Sequence, residues 1–216
     1  MISILLATYN GERYIQKAID SVLAQTYKDF ELLIGFNGTI DNSKTLVSEY
    51  KDTRIRIFDY GDDKGKAKTL NKLIKEAKYD YICLQDDDDI WLKSKLEKQF
   101  HLMDEFDVVG SMIKYIDEFD NEKGKPSLSM KHEDIVYWSL NGINQVANTS
   151  TMFKKHDALQ VLCWSGDLDG IEDYDFWLKL MRCGKKFMNL NEELVLHRVH
   201  SNSNFNTNKY DINMIL

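Results

Sequence analysis

Short apolar runs and helical stripes alternate through the first half of the chain. Ile2 to Ala7 reads as a buried strand closed by Thr8-Tyr9-Asn10-Gly11, because a short apolar run bounded by polar residues fits a strand in mid-sheet. Ile15, Ala18, Ile19, Val22 and Leu23 then recur at three- and four-residue spacing, the stripe of an amphipathic helix. Phe30 to Phe36 is a second strand, stopped by the turn signal Asn37-Gly38. A helix over 41–50 turns Leu46, Val47 and Tyr50 inward, and Ile55 to Phe58 is a third, shorter strand. Residues 64–78 form a helix with Ala67, Leu70, Leu73, Ile74 and Ala77 on its apolar face. A fourth apolar run, Tyr81 to Leu84, follows. Repeated strand–helix alternation predicts a parallel sheet with helices on its faces.

The pattern then loosens. Residues 93–103 read as a helix, 108–116 as a strand, and 117–135 as a polar, mobile loop holding Gly124 and the only proline, Pro126. Thr151-Met152-Phe153 and Leu194-Val195-Leu196 are short strands, and a polar tail covers 200–211. Tyr174, Trp177, Leu178 and Met181 make a helical stripe behind Glu172-Asp173. No repeat, low-complexity tract or domain boundary interrupts the 216 residues, which suit one substantial α/β domain.

Composition narrows the function classes. With 43% hydrophobic and 29% charged residues a packed core is expected. A net charge of -7 argues against a nucleic-acid groove, which needs a basic footprint. Cys83, Cys163 and Cys183 are far apart and odd in number, so neither a disulfide framework nor a structural zinc is indicated. With no signal-peptide pattern and no membrane-length apolar run, a cytoplasmic protein is expected. Peripheral contact with a membrane surface stays open.

The candidate chemistry starts where the fourth apolar run empties into Asp86-Asp87-Asp88-Asp89-Ile90-Trp91. Four adjacent carboxylates repel one another, and a divalent cation with oxygen ligands is an economical counterweight. In open α/β sheets ligands bind at the carboxyl ends of the strands. A solvated acidic turn that starts the next helix is the plainer alternative, since Asp is favoured at helix N-caps. The chain has no GxGxxG, GxxxxGK[ST] or GxSxG pattern. What remains is a sheet edge carrying Thr8, Tyr9 and Asn10, then Asn37, then Asp86 to Asp89. That edge suits a nucleotide with its diphosphate on a metal.

Taken in order, several segments resemble the inverting GT-A glycosyltransferases of family two. They are Ile4 to Asn10 with Ser21 to Tyr27, Phe30 to Ile34, Asn37 to Ser43, Asp86 to Trp91, Glu172 to Trp177, and Arg198-Val199-His200. The resemblance spans nearly the whole chain. It implies a single Rossmann-like GT-A domain, a mostly parallel central sheet with helices on both faces. Residues 1–105 would form the nucleotide-sugar half and 106–216 the acceptor half. The implied activity is transfer of a sugar, with inversion, from a nucleotide diphosphate-sugar to a hydroxyl of a glycan, lipid-linked sugar or glycoprotein.

The implied cofactor is Mn²⁺ or Mg²⁺, with Asp88 as direct ligand, Asp86 or Asp87 orienting the ion or holding the ribose, and His200 reaching the metal or diphosphate. His197 competes with His200 for that role. The donor-binding set is Ala7, Thr8, Tyr9, Glu12, Asn37, Lys68, Asp86 and Asp87. Asp173 matches the family's general base, although Glu172 and Asp173 would serve equally as helix-capping carboxylates. On the acceptor side stand Asn148, Thr149 and Ser150, Glu172, and the sugar-stacking candidates Trp91 and Trp177. Trp138 and Trp164 are further aromatic candidates, and tryptophans more often fill cores.

The chain departs from the family pattern twice. Asn37 stands where the family commonly has Asp; its amide oxygen can still accept a uracil or thymine imide proton, without charge assistance. Leu70 stands where a family arginine is common, leaving Lys66 or Lys68 to meet the phosphates. Competing readings are nucleotidyl transfer, which would want a basic glycine-rich loop after the first strand, and a silent sugar-nucleotide- or glycan-binding module.

Overall fold

A computed structural model describes residues 1–62, 65–168 and 170–200. The four parallel strands fall where the apolar runs predict: β1 (Ile2–Thr8), β2 (Phe30–Phe36), β3 (Ile55–Asp59) and β4 (Tyr81–Asp86). They are joined by α1 (Ile15–Leu23), α2 (Ser43–Ser48) and α3 (Lys66–Glu76). Beyond the acidic run come β5 (Ile90–Trp91), α4 (Lys95–Phe100), β6 (Val108–Ile116), β7 (Glu122–Gly124) and α5 (His132–Leu140). A 3-10 turn (Asn148–Ser150), β8 (Met152–Lys154), α6 (Lys155–Gln160), α7 (Glu172–Arg182) and β9 (Phe187–Arg198) complete the described chain.

Among the described residues the sheet has the order β3-β2-β1-β4-β8-β6-β9-β5, with β7 paired to β6. Its first half is parallel, with Ile2 opposite both Phe30 and Tyr81. β8 runs antiparallel to β4 and β6, and β9 rejoins β6 in parallel. The sheet is therefore mixed, with its longest ladders parallel. Alternation along each strand feeds two cores. Leu5, Leu33, Ile82 and Leu84 pack on one face with residues of α3, α5, α6 and α7. Ile4, Leu32, Ile34 and Cys83 pack on the other with residues of α1, α2 and α4.

The segment 117–135 is a correction to the mobile-loop expectation. Asp117 accepts the amides of Phe119 and Asn121 in a tight turn, β7 returns along β6, and α5 has begun by residue 132. β9 is also much longer than the Leu194–Leu196 core of its apolar pattern. The polar tail beyond residue 200 lies outside the described residues.

Candidate active site

The carboxyl ends of β1, β2 and β4 meet at one edge of the sheet, and each aspartate after β4 has its own surroundings. Asp87 turns inward and accepts the Thr8 hydroxyl from the end of β1. Burial and the neighbouring Asp88 charge push its pKa above the ordinary carboxylate range. Gly11 is required here: a Cβ would meet Asp87 Oδ2 at 2.5 Å and Thr8 Oγ1 at 2.7 Å. Asp89 is fully buried and accepts the Arg198 amide at 2.7 Å and a contact from His197 Nδ1 at 2.9 Å. Burial raises Asp89, while His197, charged beside it, is held above its usual value despite its own burial.

Asp88 faces the other way and lies 3.1 Å from His200 Nε2. Burial opposes its charge, but the His200 hydrogen bond and the positive charges of His197 and Lys66 hold it below the usual carboxylate range. The buried Arg198 guanidinium clamps this corner. It donates to the Asp88 carbonyl at 2.8 Å and the Asp117 carbonyl at 2.7 Å, pairs with Asp120 at 2.6 Å, and lies 4.3 Å from the Tyr14 ring centroid.

Asp86 turns to a cation on the opposite side, Lys66 Nζ at 2.5 Å. Lys66 opens α3, and although burial disfavours its charge, Asp86, Glu172 and Asp173 together hold it firmly protonated. Asp173 opens α7, so the N-termini of α3 and α7 converge on the Asp86 side of the acidic corner. Burial first, then the Glu172 charge, raise the Asp173 pKa to about 6, with Lys66 pulling the other way. Asp173 and the acidic corner are thus near enough for their charges to be felt through Lys66 and Asp86.

Several predicted residues take other positions. Of the two lysines expected near the phosphates, Lys66 pairs with Asp86 and Lys68 is exposed, with its side chain near Gly166. Trp177 is fully buried among Phe153 and Phe176 and cannot stack on a sugar. Trp91 is also core: its indole N–H donates to the Thr149 carbonyl at 3.0 Å and Lys95 Nζ covers its ring at 3.9 Å. Trp164 is buried against Phe176. Glu172 is buried and accepts the Gly170 amide at 2.5 Å, so it shapes the entry to α7 and acts on Lys66 through its charge. Glu12 braces the 38–42 turn by accepting from the Asn42 backbone and side chain. His197 serves Asp89, leaving His200 with Asp88.

Ala7 lines the end of β1 beside Thr8, and Tyr9 is exposed just beyond it. Asn37 is buried with Oδ1 unpartnered among the described residues, a free acceptor at the end of β2. Asn148 is buried with both amide atoms unpartnered among the described residues, whereas Thr149 and Ser150 spend their hydroxyls on Gln85 and the Ala147 carbonyl. The clamping role of Arg198 and the Asp89–His197 pair carry no local sequence signal, because their partners lie about a hundred residues away in the chain.

This architecture is shared with solved glycosyltransferases. The structure of S. aureus TarS 1-349 in complex with UDP-GlcNAc superposes with a TM-score of 0.79 at 17% identity, over 97% of this chain and 61% of that one. The fold is thereby that of the GT-A glycosyltransferases, and the chain spans about three fifths of the TarS chain. The Glycosyl transferase family 2 model matches residues 3–163, and the chain belongs to that family. It is 33% identical to the O-antigen biosynthesis glycosyltransferase WbnJ of Escherichia coli, over 94% of this chain and 81% of that protein. It is 29% identical to the E. coli UDP-Glc:alpha-D-GlcNAc-diphosphoundecaprenol beta-1,3-glucosyltransferase WfaP, over 94% of this chain and 79% of that protein.

Proposed function

We propose that the protein transfers a sugar, with inversion, from a UDP- or dTDP-sugar to a hydroxyl of a glycan or lipid-linked acceptor, with a divalent metal at the acidic corner. The observation that carries this reading is the nearness of Asp173 to the acidic corner: half-buried, with its pKa raised to about 6, it lies within electrostatic reach of Lys66 and Asp86. Asn37 Oδ1, buried and unpartnered among the described residues, would accept the imide N–H of uracil or thymine once the end of β2 opens to the base. Guanine would present a less natural partner there. The Asn148 amide, with donor and acceptor both unused, suits a sugar hydroxyl.

The donor set fits Mn²⁺ or Mg²⁺ bound together with a nucleotide. Among the described residues no three His, Cys, Asp or Glu side chains converge to hold an ion alone. Mg²⁺ is commonly bound by one or two carboxylates and completed by substrate phosphates. Asp88 and His200 would hold the ion, and Asp86, paired with Lys66, would join them only on releasing that lysine. When bound, the ion supplies Lewis-acid stabilisation of the departing diphosphate. Asp173 takes the proton from the acceptor hydroxyl, whose oxygen forms the new bond to the anomeric carbon as the bond to the diphosphate oxygen breaks. Lys66 keeps Asp173 ionised near neutral pH and adds positive charge at the cleft.

The test combines binding and turnover. A thermal-shift screen of UDP-, dTDP- and GDP-sugars with and without Mn²⁺ identifies the donor, since a bound ligand raises the melting point. Asp173→Asn should then keep the donor-induced shift while transfer of radiolabelled sugar falls about 10²- to 10⁴-fold, the range for a lost general base. Undiminished turnover by that variant would remove Asp173 from the role. Donor binding without any transfer or hydrolysis by the unmodified protein would instead indicate a binding module.

A further inference from the structure

Two left-handed residues in succession mark the approach to α7. Leu162 and Cys163 have φ of 62° and 57°, a region that residues other than glycine enter uncommonly. Leu162 is 85% exposed, so packing of its own side chain offsets almost none of the strain. Such a backbone persists where its surroundings over-determine it, and here the fixing partner comes from α3. Asn71 Nδ2 donates to the Trp164 carbonyl at 2.8 Å, and Asn71 Oδ1 accepts the Trp164 amide at 3.1 Å. One side-chain amide thus satisfies both backbone groups of the residue that follows the strained pair. The Trp164 ring is buried against Phe176 of α7, with centroids 4.6 Å apart.

The next residue makes the second connection. Ser165 Oγ donates to Asp175 Oδ2 at 2.7 Å and accepts from Lys179 Nζ at 2.6 Å, while Lys179 also pairs with Asp175 at 2.7 Å. Residues 162–165 therefore form a strap between two helices. Asn71 lies on the helix that Lys66 opens, and Asp175 in the first turn of the helix that carries Asp173. We propose that Asn71 and Ser165 are positioning residues for sugar transfer, tying α3 to α7 through this strap and so fixing Lys66 against Asp173. This rests on the reading of Asp173 as the base.

The charges around Asp173 show what the strap controls. Glu172 on α7 and Asp86 at the end of β4 both oppose its ionisation, and Lys66 of α3 is the cation that offsets them. On α7 itself, Asp175 is already matched by Lys179. Lys66 stays paired with Asp86, so loosening the strap displaces the start of α7 and spares the donor edge. Displacement weakens the pull of Lys66 on Asp173 and moves the base away from the acceptor hydroxyl. A misplacement of about 1 Å costs on the order of 10²-fold in rate.

The full chain and the variants Asn71→Ala, Ser165→Ala and Ser165→Thr are compared in the radiolabelled-sugar assay, with the UDP- or dTDP-sugar that gives the largest thermal shift. Both alanine variants should lose kcat by roughly 10- to 100-fold, with donor KM and the donor-induced thermal shift little changed. Their acid limb of kcat/KM should move to higher pH, because less of the Lys66 charge is felt at Asp173. Ser165→Thr keeps the hydroxyl and should keep kcat. In an Asp173→Asn background, Asn71→Ala should cost little more, since no base is left to position. Should Asn71→Ala fail to fold, the two Ser165 variants carry the same comparison.

A lowered melting point with unaltered kcat and acid limb would assign the strap to stability alone and overturn the inference. Equal fold-losses with and without the Asp173 carboxylate would place the effect elsewhere and overturn it too. Either result leaves the transferase reading standing. Undiminished turnover by Asp173→Asn, or no transfer by the unmodified protein, would instead defeat the base or the transferase reading, and the inference with it.

Discussion

A lysine with almost no water offers the sharpest quantitative test of the packing. The Lys95 side chain is buried at the start of α4, with Nζ 2.8 Å from Gln99 Oε1 and 3.9 Å from the Trp91 ring centroid. No carboxylate pairs with it among the described residues, and burial lowers its pKa from 10.5 to about 8. That difference corresponds to roughly 3 kcal/mol against the folded state while the amine is charged. Below pH 8 both folded and unfolded chains carry the proton, so the penalty is fully present. Between pH 8 and 10.5 the unfolded chain holds more protons, and stability rises with pH. Lys95→Met preserves most of the stem volume and removes the charge, but it leaves Gln99 Oε1 short of a donor, a loss of about 1–3 kcal/mol. The expected net effect at pH 7 lies between neutral and a gain of about 2 kcal/mol. Urea unfolding of both proteins at pH 7 and pH 10 is the assay. The variant's advantage should shrink by about 2–3 kcal/mol at the higher pH, as the native amine discharges. An advantage that does not change with pH, or a destabilised variant at pH 7, would refute a charged, unpaired Lys95.

Three further outcomes follow from the cleft. If Asp173 must be ionised to accept a proton, kcat/KM should climb with pH through about 6 and level off above it; a flat acid limb down to pH 5 would exclude it as the titrating base. Lys66→Met removes a charge that lowers the Asp173 pKa, so the same limb should move to higher pH, with donor affinity reduced. Unchanged profiles would show that Lys66 does not act on the base. Gly11→Ala forces a methyl against the Thr8–Asp87 hydrogen bond and should weaken the donor-induced thermal shift by about tenfold in apparent affinity, with little change in soluble yield. Equal affinity would mean that the pair plays no part in shaping the donor edge.

The parts of the fold that were legible in the sequence are those whose residues answer to local rules. β1, β2 and β4 are continuous apolar runs because both faces of the central strands are covered, and the stripes of α1, α3 and α7 follow helical spacing. Only the Leu194–Leu196 core of β9 shows in the sequence because Asn189, Asn191, Glu192 and Glu193 interrupt the apolar pattern along this strand. α5 was lost in the polar 117–135 stretch because its exposed outer face blurs the amphipathic signal. At the acidic corner the run Asp86 to Asp89 stands out in the sequence, while the separate surroundings of its four carboxylates do not. Each is set by a partner from another element: Lys66, Thr8, His200 and His197. Choosing Lys66 over Lys68 likewise depends on the rotation of α3, and the fate of Trp91 and Trp177 on how deeply their elements pack.

The Arg198 clamp has a consequence for the order in which the protein matures. Asp88 and Asp89 leave the ribosome more than a hundred residues ahead of the cations that steady them, whereas Lys66 is already in place for Asp86. Only when the last strand slots beside β6 and β5 do those two residues acquire their arginine and their two imidazoles. The order of this corner therefore waits on β9, a strand made well after the two aspartates it steadies.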